Sequence, residues 1–121
     1  MKWQKAINIE DGVHKGVIKR VEYRDEPYEY VDIYVQLSDT EIELKYSCPQ
    51  SLSESSKIGR LLMKFGVKPN YDSDEDVKVE KYLVGQVVTF MTLKEKSKKD
   101  PSREYSVIVD DSLKLATVPT A

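Results

Sequence analysis

Tyr28-Glu-Tyr-Val-Asp-Ile-Tyr-Val-Gln-Leu37 is the stretch whose reading decides the fold. Val31, Ile33, Val35 and Leu37 fall on one face, and Tyr28, Tyr30, Asp32, Tyr34 and Gln36 fall on the other. Only a β-strand sends alternate residues to opposite faces, so this period of two predicts a strand lying half over a core. Downstream, Ser38-Asp-Thr40 is a tight connection, and Glu41 to Ser47 alternates again with Ile42, Leu44 and Tyr46 inward; the two strands are expected to form a hairpin. Upstream, Gly12 to Arg24 reads as a first strand, with Val13, Val17, Val21 and Tyr23 at even spacing. The adjoining Val17 and Ile18 predict either two partly covered faces or a bulge near Gly16. Asp25-Glu-Pro27 then makes a turn, because proline has no N–H to give to a ladder.

Pro49 ends the third strand, and Ser51-Leu-Ser-Glu54 reads as a capping box opening a helix from about residue 52 to 65. Ile58, Leu61, Leu62 and Phe65 form one apolar stripe, and Gly66 suits the left-handed position that closes helices. Gly59 costs the helix about 1 kcal/mol against alanine, which predicts a close approach to a strand. Residues 67–81 are a polar, acidic connection, and Tyr82-Leu-Val84 is expected to be a short turn that plugs the core. Gln86 to Leu93 and Glu104 to Val109 are two more strands, joined by a polar hairpin loop from Lys94 to Arg103. After Leu115 the tail is expected to fray. Five short strands with one helix between the third and fourth predict a mostly β fold, a five-stranded OB-fold-like Greek-key barrel. A small open sheet with a helix packed on it is the alternative. With 121 residues the chain has room for one domain, 1–121, with its core over about 12–116.

The chain opens without the apolar run of a signal peptide and contains no stretch long enough to span a membrane, so a cytoplasmic location is expected. Cys48 and His14 stand alone among cysteines and histidines, so neither a disulfide nor a Cys/His metal site is expected, and no cofactor is implied. Asp72, Asp74 and Asp76 have the odd spacing of a calcium loop, yet Val77 stands where glycine is needed and Leu83 where glutamate is needed. No phosphate-cradling glycine loop or nucleophile elbow is present, so a catalytic role is not expected.

The formal net charge is −2, which argues against coating a polyanion by bulk charge, but the charge is patchy. Residues 25–50 carry one basic side chain against seven acidic, whereas Lys94, Lys96, Lys98, Lys99 and Arg103 crowd into ten residues. Since Val31, Ile33 and Val35 point inward, Tyr30 and Tyr34 are expected outside, on the strand whose outer surface is the usual ligand platform of such a barrel. Taken as two strand rises of about 3.4 Å apart, about 7 Å, the two rings would suit successive unstacked bases. The same tyrosines also suit a strand simply by β propensity. The Lys-rich loop is expected to flank the same groove and hold phosphates. Glu41 and Glu43 are expected on that outer face too, where they would repel a phosphate backbone. Lys15, Lys19 and Arg20 of the first strand, and Lys57, Arg60 and Lys64 of the helix, are further basic residues with no groove assigned. Trp3 is expected to pack.

Ser55-Ser-Lys-Ile-Gly-Arg-Leu-Leu-Met-Lys-Phe-Gly66, then Leu83-Val-Gly-Gln-Val-Val-Thr-Phe90 and a closing strand ending near Asp111-Ser112, resemble small OB-fold proteins of phages, prophages and archaeal mobile elements. The resemblance covers about residues 12–116 and rests on packing motifs. It implies a nucleic-acid-handling context of the single-stranded-DNA-binding kind, with single-stranded nucleic acid as partner and DNA favoured over RNA. Such families often end in an acidic tail for partner proteins; Ala-Thr-Val-Pro-Thr-Ala121 has no acidic residue, so recruitment through it is not expected. The alternative is a protein-interaction or assembly module, or a homo-oligomer, using the same exposed face. A third is an oligosaccharide-binding barrel, which would not need the lysines.

Overall fold

The computed structural model describes residues 1, 9–96, 102 and 104–116. The elements run β1 (Gly12–Arg24), β2 (Tyr30–Leu37), β3 (Glu43–Pro49), α1 (Lys57–Lys64), α2 (Glu80–Leu83), β4 (Val87–Lys96), β5 (Glu104–Ile108) and β6 (Lys114–Leu115). All pairings are antiparallel in the order β3-β2-β1-β4-β5, with the short β6 added to β4. The fold is thus a mostly β antiparallel sheet of five main strands with a short helix after the third. The barrel expected from the strand order is not closed by hydrogen bonds: β3 and β5, the two ends of the path, approach each other but share no ladder.

The inward set of β2 is as its period demands: Val31, Ile33 and Val35 are buried and Leu37 is half-buried. Across from them in β3 stand Leu44, Tyr46 and Cys48, all buried, while Ile42 falls in the turn and is half-buried. These side chains join Ile18, Val88, Phe90 and Ile108 in one cluster, capped by Ile58, Leu61 and Leu62 of α1 and by Val79 and Leu83. Leu83 therefore plugs the core as expected, from a four-residue helix rather than a turn, and Leu113, unassigned by the period, is fully buried as well. Burial pushes the Cys48 thiol up to about 11, so it is a protonated packing group at neutral pH.

In β1 the even spacing of Val13, Val17, Val21 and Tyr23 does not put them on one face. The pairing with β2 slips between Ile18 and Arg20, so that Lys19 is an extra residue. Before the slip Gly16 and Ile18 face the core; after it Val21 and Tyr23 stand opposite the inward Ile33 and Val31. Val13 is consequently 70% exposed. The bulge lies just past Gly16, where a Cβ would come 2.4 Å from the Gln36 carbonyl oxygen, so glycine lets β1 and β2 approach as the register changes.

The helix starts later than its sequence suggests, and the expected capping box at Ser51 and Glu54 is not used. Ser53 and Ser56 instead accept hydrogen bonds from each other's backbone N–H, at 3.1 and 3.0 Å, and Ser56 Oγ accepts a further one from Gly59 N. Serine hydroxyls that satisfy local backbone compete with helix, so the first turn is delayed to Lys57. The far end is as expected: Gly66 has φ +87, and the N–H groups of Val67 and Gly66 donate to the carbonyls of Leu62 and Met63. Gly59 serves a close approach, but to the Ser53 carbonyl rather than to a strand: a Cβ there would sit 1.7 Å from that oxygen.

β4 runs to Lys96, so Lys94 and Lys96 belong to a strand and not to the loop. Trp3, Lys98, Lys99, Arg103 and the tail beyond Ala116 lie outside the described residues.

Alanine is a better helix former than glycine by about 1 kcal/mol, yet Gly59→Ala is expected to destabilise the fold by about 1–3 kcal/mol, because backbone must move to admit the methyl group. Urea unfolding measures it; an unchanged or raised midpoint contradicts the packing described.

Candidate functional site

The bulge in β1 decides what stands beside the tyrosines. Past it, Arg20, Glu22 and Arg24 occupy the outer face, and the ladder registers set them in rows across three strands: Arg20, Tyr34 and Lys45; Glu22, Asp32 and Ser47; Arg24, Tyr30 and Pro49. Neighbouring strands lie about 4.8 Å apart, so members of a row are in reach of one another.

Tyr30 and Tyr34 are half-buried rather than open. The Arg20 guanidinium lies over the Tyr34 ring, 3.9 Å from its centroid, and that of Arg24 over Tyr30 at 4.9 Å. Tyr28 meets the Tyr30 ring edge-on, at 6.4 Å between centroids. The expected 7 Å spacing of the two rings is corrected too: Asp32 stands between them on the same face, so four strand rises separate them, about 14 Å. The pair does not fit successive bases.

The two arginines are held differently. Arg20 donates through NH1 to both oxygens of Glu43, at 2.7 and 2.9 Å, and through Nε to Glu22 at 3.1 Å. Glu43, expected to repel a polyanion, is thereby neutralised. Arg24 donates to both oxygens of Asp32, at 3.0 and 3.2 Å, and Ser47 Oγ donates to Asp32 Oδ1 at 2.6 Å. Asp32 is buried. Burial pushes its carboxyl upward, but the hydrogen bonds from Arg24 and Ser47 and the nearby charges of Arg24 and Lys45 outweigh that and hold it below its ordinary value. Burial, followed by the charges of Glu22 and Asp32, raises the Tyr34 phenol, so that ring stays neutral.

Lys45, Lys15 and Lys19 are exposed and form no ion pair among the described residues. Lys94 and Lys96 are exposed as well, but they extend from β4 past Thr92, whose partner in β1 is Gly12. Arg20 and Arg24 occupy the opposite half of β1, so the described part of the lysine loop and the tyrosines stand toward different ends of that strand. The helix cations do not reach the face at all. Lys57 pairs with Asp110 at 2.9 Å and lies 4.3 Å from the Tyr46 ring centroid, Arg60 pairs with Asp111 at 2.9 Å, and Lys64 Nζ donates to the Asp111 carbonyl. They bind α1 to the turn after β5.

A hollow of about 650 Å³ lies elsewhere, between α1 and residues 67–78. Its charged lining sets Glu54, Glu75 and Asp76 against Lys68, Lys78 and Lys81, and no outer-face tyrosine contributes to it. It offers an anion no net attraction.

No protein-family model and no curated protein matches the chain. The site therefore rests on its geometry.

Of that geometry, the sequence reading named Tyr30, Tyr34 and Arg20. It missed Arg24, Asp32, Lys45 and Ser47, whose role comes from register across strands. The available signal was the slip of apolar parity from Ile18 to Val21, which marks the bulge and so turns Arg20 and Arg24 outward.

A carboxyl whose folded pKa is depressed stabilises the fold above its ordinary pKa and loses that contribution as the pH falls through the lower folded value. Asp32→Asn is therefore expected to cost about 1–3 kcal/mol at pH 7, and the gap to wild type should shrink below pH about 4. Urea midpoints over a pH series measure it; a gap constant into strong acid contradicts the role given to Asp32.

Proposed function

We propose that the chain is a non-catalytic module that binds single-stranded nucleic acid across the outer face of β1, β2 and β3. The strand order and the helix after β3 support reading the sheet as a partly open OB-type Greek-key barrel, in which that face would be the ligand platform. The observation that carries the reading is the row Arg20, Tyr34, Lys45: an aromatic ring flanked on both neighbouring strands by cations. Bases stack on rings whatever their identity, and flanking cations take the phosphates, so such a row favours sequence-tolerant binding. The pairing of Glu43 with Arg20 supports the reading, since it offsets one of the two carboxylates expected to repel a phosphate backbone on this face, while Glu41 stays exposed. Lys15 and Lys19 extend the basic surface along β1. Lys94 and Lys96 would meet phosphates of a longer strand, and Lys98, Lys99 and Arg103 follow them in the sequence.

One observation favours a second reading, an interface with another protein chain. Val13, Val87, Met91 and Leu93 are large apolar side chains exposed on the outward side of β1 and β4, where Val13 pairs with Met91. Concentration-dependent sedimentation tests that alternative.

Fluorescence anisotropy with a labelled oligo(dT) is expected to show binding that weakens steeply with salt, with oligo(rU) and a duplex as comparisons. Tyr34→Ala should cost about 1–3 kcal/mol of binding with the fold intact. Absence of binding at low salt, or an unchanged affinity in Tyr34→Ala, contradicts the proposal.

A further inference from the structure

We infer that Arg20 is an exchangeable cover on Tyr34, held by Glu22 and Glu43 in the position it leaves when a phosphate replaces those carboxylates. The inference rests on the proposed nucleic-acid reading and concerns how the same site opens. A carboxylate and a phosphate offer a guanidinium the same paired acceptor oxygens, and in the free protein the Glu43 carboxylate fills that role at NH1 while Glu22 takes Nε. While the fork is so held, its plane lies over the Tyr34 ring, and a base cannot stack on that side.

The exposure of the partners decides that this cover can move. The side chains of Arg20, Glu43 and Glu22 are 46%, 33% and 53% exposed, and ion pairs so open to water contribute little to stability. Exchanging their carboxylates for a phosphate leaves no group stranded away from solvent. Arg24 is the contrast on the same face. Its partner Asp32 has a side chain only 4% exposed and is bonded to Ser47 as well, so moving Arg24 would leave a buried charge without its cation. Tyr30 accordingly stays covered by Arg24, with Tyr28 at its edge, and contributes a wall. The module then offers one base position, at Tyr34, with Arg20 and Lys45 as its phosphate contacts.

The test compares Glu43→Gln with Glu41→Gln. Glu41 is exposed and lies two residues from Glu43 in the chain, but it has no ion pair among the described residues, so both variants remove one negative charge and only the first releases Arg20. Anisotropy with labelled oligo(dT) at one moderate salt concentration is expected to show Glu43→Gln binding about fivefold tighter than wild type, roughly 1 kcal/mol. Glu41→Gln should stay within about twofold. In a Tyr34→Ala background the gain from Glu43→Gln should fall to that of Glu41→Gln, and circular dichroism checks that each variant is folded. Equal gains from the two variants, or a Glu43→Gln gain that survives loss of Tyr34, overturn the inference while leaving nucleic-acid binding intact. Absence of binding by wild type and both variants overturns the inference and the proposed function together.

Discussion

The register slip in β1 is the constraint on which the rest of this structure depends. β1 serves two partners: residues 12–17 pair with β4 and residues 16–24 with β2, so Gly16 and Val17 are paired on both sides, and Lys19 is the extra residue within the β2 pairing. A strand that kept its parity through this point would send Val21 and Tyr23 to solvent and Arg20, Glu22 and Arg24 into the core. Burying three charged side chains without prepared partners costs far more than one unpaired ladder position, so the slip is enforced by side-chain chemistry on both faces. It also lets the sheet curl toward closure, since bulges sharpen the local twist.

Several ion pairs then distribute the cations of a nearly neutral chain between structure and surface. The three basic residues of α1 are committed to Asp110 and Asp111, and the backbone N–H of Asp111 donates to the hydroxyl of the buried Tyr46. The helix is thereby tied to the turn after β5, next to the gap that no ladder closes. Tyr23 ties down the other end: its hydroxyl donates to Glu80 and accepts from Val79 N, fixing α2 beneath β1. What remains unpaired on the described surface of β1 and β3 is Lys15, Lys19 and Lys45, beside a tyrosine whose covering arginine is held only by exposed carboxylates.

Much of this was legible in the order of residues. The alternation from Tyr28 to Leu37 carries its own register, because one face is wholly apolar. The apolar stripe of α1 and the glycine that ends it are equally local signals. The start of α1 was not legible, because Ser51, Ser53, Ser55 and Ser56 each offer a plausible cap; the choice is made by which hydroxyls reach which backbone N–H. The tyrosines were legible as outward-facing, whereas their cover was not, because Arg20 and Arg24 reach them only through pairing between residues up to fourteen positions apart. The loop from Lys94 to Arg103 was read as flanking the groove of the tyrosines because a run of lysines announces itself without saying to which end of the neighbouring strand it leads. Leu113 and the short β6 escaped notice because two residues of strand are too few to establish a period.

The central claim is that the outer face of β1, β2 and β3 receives a single strand at the row Arg20, Tyr34, Lys45. Following backbone amide resonances by two-dimensional NMR during titration with oligo(dT) tests it most directly. The account predicts that the amides of Arg20, Tyr34 and Lys45 and their ladder neighbours shift together, while those of Arg60, Lys64 and Asp111 stay in place. Shifts centred on α1 and residues 67–78, or none at all, would contradict it.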